Sequence, residues 1–113
     1  MTIHEVIDDA AKLNKVLSDL NAQRTAELEI EIDISRHCSA YYGNFRSFDE
    51  LKTLIKEKDF SKEVESTILD NIEKLDFNFY ELDYEEICRY SSGVVLRTKS
   101  NQEVRVHINL TIS

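Results

Sequence analysis

Two cysteines and three histidines are the side chains of this 113-residue sequence that could form a thiolate and its base. Cys38 with His107, or His37 with Cys88, would supply the pair that a small thiol enzyme or ligand carrier needs. Cys38, however, continues the apolar parity of the alternating segment before it, and a cysteine packed among apolar side chains is inert filling. His4, His37 and His107 have no short ligand spacing and there is no C-x-x-C, so zinc finds no ready set of donors. Glu81, Asp83, Glu85 and Glu86 could attract a cation, yet they lack the glycine and the oxygen spacing of a calcium loop. The two glycines, Gly43 and Gly93, read as residues that chain turns require, and no phosphate-cradling loop is present. The sequence predicts no catalytic residue, no metal ligand and no cofactor.

What remains is carboxylate. Residues 27 to 34 read ELEIEIDI, in which Glu27, Glu29, Glu31 and Asp33 alternate with Leu28, Ile30, Ile32 and Ile34. A strict period of two defines a strand with one face toward a core and the other toward water or a partner. Acids two apart on one face lie about 6.8 Å apart, and their mutual repulsion in water is about 0.6 kcal/mol before salt screening. The row therefore needs no special function to be tolerated. It is also far sparser than duplex DNA, which carries about one charge per 1.7 Å, so the strand alone imitates nucleic acid poorly. Glu57, Asp59, Glu63 and Glu65, and Glu81, Asp83, Glu85 and Glu86, would have to join it to form an acidic belt.

The elements that position these groups follow from spacing. Thr2 with Glu5 is a capping-box pattern, and Ile3, Val6, Ile7, Ala10, Leu13, Leu17 and Leu20 recur at steps of three and four, predicting a helix over residues 3 to 22. After ELEIEIDI the even parity continues through Cys38, Ala40 and Tyr42, broken only by Arg36. The strand is expected to run on past a bulge or bend near Ser35, with Gly43 and Asn44 ending it. Ser47 with Glu50 caps a short helix over 48 to 58, and Ser61 caps another that ends near Lys74. Residues 76 to 82, DFNFYEL, predict a second strand. The stretch DYEEICRYSSG fits neither period cleanly and reads as an irregular connection. Gly93 to Ser100 and Glu103 to Ile112 predict a hairpin around Asn101 and Gln102, with Val104, Val106, Ile108, Leu110 and Ile112 on one side and Arg105, His107, Asn109 and Thr111 on the other.

The order α, β, α, α, β, β, β predicts an α+β fold: a mainly antiparallel sheet of about four strands with helices on one face, forming a single domain over residues 1–113. One sheet face must then meet water or a partner. Charge is divided unevenly: residues 1–86 carry 21 acidic and 10 basic side chains, whereas residues 87–113 carry Arg89, Arg97, Lys99 and Arg105 against Glu103 alone. If the basic hairpin lies beside ELEIEIDI, Arg97, Lys99 and Arg105 are expected opposite Glu29, Glu31 and Asp33 as cross-strand ion pairs.

A formal net charge of −8 argues against direct binding to nucleic acid. No apolar run reaches the length of a membrane span, and the N-terminal stretch lacks a basic start and cleavage site, so a cytoplasmic protein with reduced thiols is expected. The functional expectation is a small non-enzymatic module that places acidic and aromatic surface on a basic site of another protein. Its candidate contacts are Glu27, Glu29, Glu31, Asp33, Tyr41, Glu81, Asp83, Tyr84, Glu85, Glu86 and Tyr90. In size and charge the chain resembles inhibitors of nucleic-acid-handling defence enzymes, such as the anti-CRISPR and anti-restriction proteins of phages, and immunity proteins against toxic nucleases. The alternatives are a homodimeric accessory or structural subunit that closes its sheet edge against a copy of itself, and a small ligand-binding protein or enzyme using Cys38 and His107.

Overall fold

The computed structural model describes the backbone of residues 1–34, 39–84 and 87–113, and the side chains of these except 39, 81–84, 87 and 88. Expectations that fall on residues 35–38, on Glu85 and Glu86, or on the Cys88 thiol lie outside the described residues.

The three helices begin where their caps require. Thr2 accepts a hydrogen bond from Glu5 N at 3.2 Å while the Glu5 carboxylate accepts from Thr2 N at 3.3 Å, and this reciprocal box opens α1 (Ile3–Asp19). Ser47 accepts from Glu50 N at 3.1 Å to open α2 (Phe48–Glu57), but the Glu50 carboxylate reaches back to Arg46 N, one residue beyond the box position. Ser61 accepts from Val64 N to open α3 (Lys62–Asn71), which tightens into a 3-10 turn at Ile72–Lys74.

Among the described residues five strands form one antiparallel sheet: β1 (Ala26–Ile34), β2 (Ser39–Phe45), β3 (Tyr80–Tyr84), β4 (Ile87–Arg97) and β5 (Glu103–Ile112), in the spatial order β2-β1-β5-β4-β3. The register places Ile30 opposite Ile108, Ile32 opposite Val106 and Ile34 opposite Val104. These side chains are buried under the helices with Ile3, Val6, Leu51, Ile55, Val64, Ile68 and Ile72. All three helices pack on this one face, so the α+β class expected from the order of elements is the fold observed. Among the described residues no helix is long and apolar enough to cross a membrane.

The first helix stops at Asp19, short of the expected residue 22, and three further boundaries differ from expectation for identifiable reasons. The segment after β1 does not extend it; Ser39–Phe45 folds back as β2, antiparallel to β1, with Ile30 opposite Gly43 and Glu31 opposite Tyr42. Even residues of β1 thus face odd residues of β2, and the apolar side of β2 is Tyr41, Gly43 and Phe45. The strand predicted over 76 to 82 starts only at Tyr80, because Phe77 is plugged into the core and its N–H donates to Met1 O at 2.7 Å rather than to a neighbouring strand. Of the stretch read as an irregular connection, residues 83–84 and 87–93 belong instead to β3 and β4, which pair with Tyr80 opposite Ser91 and Tyr84 opposite Ile87.

Neither glycine serves a turn. Both lie within strands without positive φ, and each makes room for a ring: a Cβ on Gly43 would stand 2.7 Å from the Tyr41 hydroxyl oxygen, and one on Gly93 would stand 2.6 Å from the His107 imidazole. The turn between β4 and β5 is closed by Asn101 at φ 65° and by Gln102 N donating to Thr98 Oγ1 at 3.0 Å. It is tied to α3 because Ser100 donates from its N–H at 2.6 Å and its hydroxyl at 2.7 Å to the Glu63 carboxylate.

Ile30→Ala should lower unfolding free energy by about 2–5 kcal/mol, since it opens a cavity in a fully packed site, whereas Glu27→Ala on the same strand should stay within about 0.5 kcal/mol. Urea titrations of both variants beside the parent chain measure the difference.

Candidate functional site

The face of the sheet away from the helices carries the charge. β1 contributes Glu27, Glu29, Glu31 and Asp33, β5 contributes Arg105, His107, Asn109 and Thr111, and β4 contributes Arg89, Ser91, Gly93, Val95 and Arg97, all on the parity opposite to the core. Side chains alternate across a strand, so burying the isoleucines of β1 leaves its acids on this face.

The middle of the acidic row is not bare. Arg89 reaches from β4 across β5, and its Nη2 lies 3.1 Å from Glu31 Oε1 and 3.5 Å from Glu29 Oε1. Asn109, on the intervening strand, donates from Nδ2 to the same two oxygens at 2.8 and 3.4 Å. Its Oδ1 accepts from the Ser91 hydroxyl at 2.7 Å. Asn109 is only 2 % exposed although no helix covers it, because Glu29, Glu31, Arg89 and Ser91 enclose it. The network holds both carboxylates fixed, and only about a quarter to a third of each remains open, 25 % for Glu31 and 31 % for Glu29. Arg89 Nε is enclosed without a hydrogen-bond partner among the described residues, where the bonding runs through Nη2.

The pairing expected from the terminal hairpin is corrected here. Arg105 does stand opposite Asp33 in register, yet its Nε turns to Glu103 Oε1, 3.7 Å away on its own strand. Arg97 donates to the Asn101 carbonyl and side chain in the turn, and Lys99 lies beyond the end of β4. Arg89, two strands from the acids but facing the gap between Glu29 and Glu31, takes the role expected of those three.

This enclosure changes titration. Burial pushes the Glu29 carboxyl above its ordinary range, and the neighbouring Glu31 carboxylate adds to the rise, while the Asn109 hydrogen bond and the Arg89 charge oppose it. Glu27 and Asp33, at the ends of the row, lie outside the Arg89 network; Glu27 is exposed and Asp33 half-buried.

The aromatic candidates separate by parity. Tyr41 lies on the helix-covered side, where its ring meets Phe60 edge-on at 6.1 Å and carries the Lys58 ammonium 5.0 Å above it. Burial, with Glu57 nearby, raises its hydroxyl pKa. Tyr90, opposite Leu110 and half-buried, also belongs to that side. Neither ring joins the acids. The backbone of Glu81, Asp83 and Tyr84 runs in β3, but their side chains, with Glu85 and Glu86, fall outside the described residues.

Tyr42, Tyr80 and Val95 occupy the open face instead, exposed by 58 %, 55 % and 55 %. Tyr42 stands opposite Glu31 in register. Tyr80 was legible from DFNFYEL, since Phe77 and Phe79 claim the inner parity there. Tyr42 was not, because the chain reversal before β2 shifts which parity faces the core.

Among the described residues no group of three or more potential metal-binding side chains converges. His107 lies over Gly93 and opposite Glu31, while His4 contacts the Glu73 carboxylate at 3.0 Å on the far side of the molecule. A cleft of about 770 Å³ between α1 and the β1–β2 end of the sheet is lined by Ala10, Asn14, Arg24, Leu28, Phe45 and Arg46 among others, with no cysteine or histidine among the described residues that line it. Asn14 is already engaged there by Ala26, accepting from its N–H at 2.7 Å and donating to its carbonyl at 2.9 Å.

A carboxyl whose folded-state pKa exceeds its unfolded value contributes stability below the unfolded value, here near 4.5, and loses that contribution as pH rises through the folded value. Glu29→Gln should therefore stabilise the fold at pH 7 by about a few tenths of a kcal/mol, kept small by the exposed part of the side chain. The gain should vanish below pH 4.5. Arg89→Met should do the reverse, costing about 1–2 kcal/mol at pH 7 by leaving Glu29 and Glu31 without their cation, with the loss shrinking as Glu29 protonates. Denaturant midpoints measured from pH 3.5 to pH 8 test both signs.

Comparison with known proteins finds no matching family model, no matching curated protein and no matching solved structure.

Proposed function

We propose that this chain is a non-enzymatic protein-binding module whose open sheet face docks on a cationic surface of another protein, such as the nucleic-acid-binding site of an enzyme. The observation that carries the reading is the acidic row Glu27, Glu29, Glu31 and Asp33, its central pair held by Arg89 and Asn109, with exposed Tyr42 on the strand beside it. Fixed carboxylates lose little freedom on meeting arginine or lysine, because the Arg89 and Asn109 network has already ordered the central pair. Free carboxylates at the ends of the row steer a basic partner by long-range attraction. Tyr42 and Tyr80 add aromatic area of the kind that anchors protein interfaces.

Arg89 also limits the reading. With one cation set against the two central acids, the strand presents less net charge than its sequence implies, so recognition rests on charge placement beside tyrosine and not on imitation of a phosphate backbone. This is the mode expected of a small inhibitor of a nuclease or defence enzyme, in the manner of anti-CRISPR, anti-restriction or immunity proteins, acting in the cytoplasm where Cys38 and Cys88 remain thiols.

The test uses Glu27→Lys combined with Asp33→Lys, which reverses the free ends and leaves Glu29, Glu31 and Arg89 intact. Proteins captured by the parent chain from a lysate are identified, and the recovered partner is titrated against both forms. The expected partner is basic, binds more weakly as salt rises, and loses at least about tenfold in affinity to the double variant. Unchanged affinity with the fold intact removes this face from the site.

A further inference from the structure

We infer that β2 is a self-association edge, and that two copies of this chain join by antiparallel pairing of Ser39–Phe45 about a two-fold axis at Tyr42, making one continuous ten-stranded sheet. The strand order leaves two edges, β2 and β3. They are not alike. β3 is five residues long and carries Glu81 and Asp83, whereas β2 is seven residues, SAYYGNF, without a charge or a proline. Short length, charge and proline are the usual means by which sheet edges avoid pairing, and β2 uses none of them.

The edge is also open. Apart from its ladder to β1, β2 sends no backbone hydrogen bond elsewhere among the described residues. A hollow of about 420 Å³ between Asn44 and the α2 residues Asp49, Glu50, Thr53 and Leu54 shows that the helix above does not close over it.

A second copy fits this edge better than the cationic partner proposed for the open face. A basic surface would find no carboxylate on SAYYGNF itself, and another copy finds no like charge along the strand; the like charges beside it are Asp49 and Glu50 on α2. With Tyr42 on the axis, Ala40 stands opposite Asn44 of the other copy and Gly43 opposite Tyr41, so small residues meet large ones on both faces of the seam. The two Tyr42 rings, each 58 % exposed in the single chain, become cross-strand neighbours and lose solvent together. The β1 acids of the two copies would be three strand spacings apart, about 14 Å, beyond the screening length of about 8 Å at physiological salt. The β1 rows of the two copies therefore oppose the seam only weakly, and Asp49 and Glu50 are the charges beside it that salt screens. An isologous contact of this kind makes every interaction twice and closes on itself.

Light scattering at increasing concentration tests the seam. The parent chain should move from a mass of 13.2 kDa to twice that value between about 1 µM and about 1 mM, the range in which a micromolar dimer forms. Tyr42→Lys places two ammonium groups side by side on the axis, yet in the single chain it stands opposite Glu31, so the fold should survive; association should weaken at least tenfold. If circular dichroism shows that variant unfolded, Ala40→Lys on the same exposed edge replaces it. Tyr80→Lys, on the opposite edge, should leave the dimer unchanged. Added salt should strengthen self-association by screening the charge that the two copies share, whereas it should weaken capture of a basic partner, so the two ideas stand or fall separately. A monomeric mass at every concentration, an unaffected dimer in the folded edge variant, or equal weakening by Tyr80→Lys overturns the inference.

Discussion

The two-sidedness of β1 is the constraint from which the rest follows. Leu28, Ile30, Ile32 and Ile34 are at most 6 % exposed, and burying such side chains contributes roughly 1.5–3 kcal/mol each. A slip of one residue against either neighbouring strand would exchange all four with Glu27, Glu29, Glu31 and Asp33, driving carboxylates into a core that among the described residues holds no cation to receive them. Register is therefore fixed on both sides of β1 at once. That in turn sets which residues of β2 and β5 share the outer face.

Given the register, the polar face organises itself around reach. A long arginine side chain two strands away can span the intervening strand, whereas Arg105, directly opposite Asp33, has a nearer acid in Glu103 on its own strand. Asn109 serves beneath Arg89 because an amide offers both a donor to the carboxylates and an acceptor to Ser91. The result is a sheet surface that is partly closed by its own side chains. Such a surface is stiffer than a row of free glutamates, and stiffness is what the proposed docking face would gain from it.

Much of this was legible in the sequence, and the failures share a cause. Periodicity and caps are local, so Thr2, Ser47 and Ser61 marked the helix starts and the even parity of Val104 to Ile112 marked the inner face of β5. The reversal between β1 and β2 depends on how the chain turns, and alternation continues through a reversal without a visible break. Tyr42 was consequently assigned to the apolar side and Tyr41 offered to a partner, whereas the fold places them the other way round. Arg89 was hidden for a related reason: its partners are 58 and 60 positions away, and only the strand order β1-β5-β4 brings them within reach. Both glycines looked like turn residues because nothing in the sequence announces that Tyr41 or His107 will lie across them.

The clamp between Ser100 and Glu63 has a consequence for how the molecule sheds charge. Hydrogen bonds from Ser100, and the nearby Lys99 ammonium, hold the Glu63 carboxyl below its ordinary range, while burial holds Glu29 above it. Gradual acidification therefore reaches them in a set sequence. The exterior of the sheet begins to go neutral while the β4–β5 turn remains fastened to α3, so the molecule surrenders part of its surface potential before it loosens its frame.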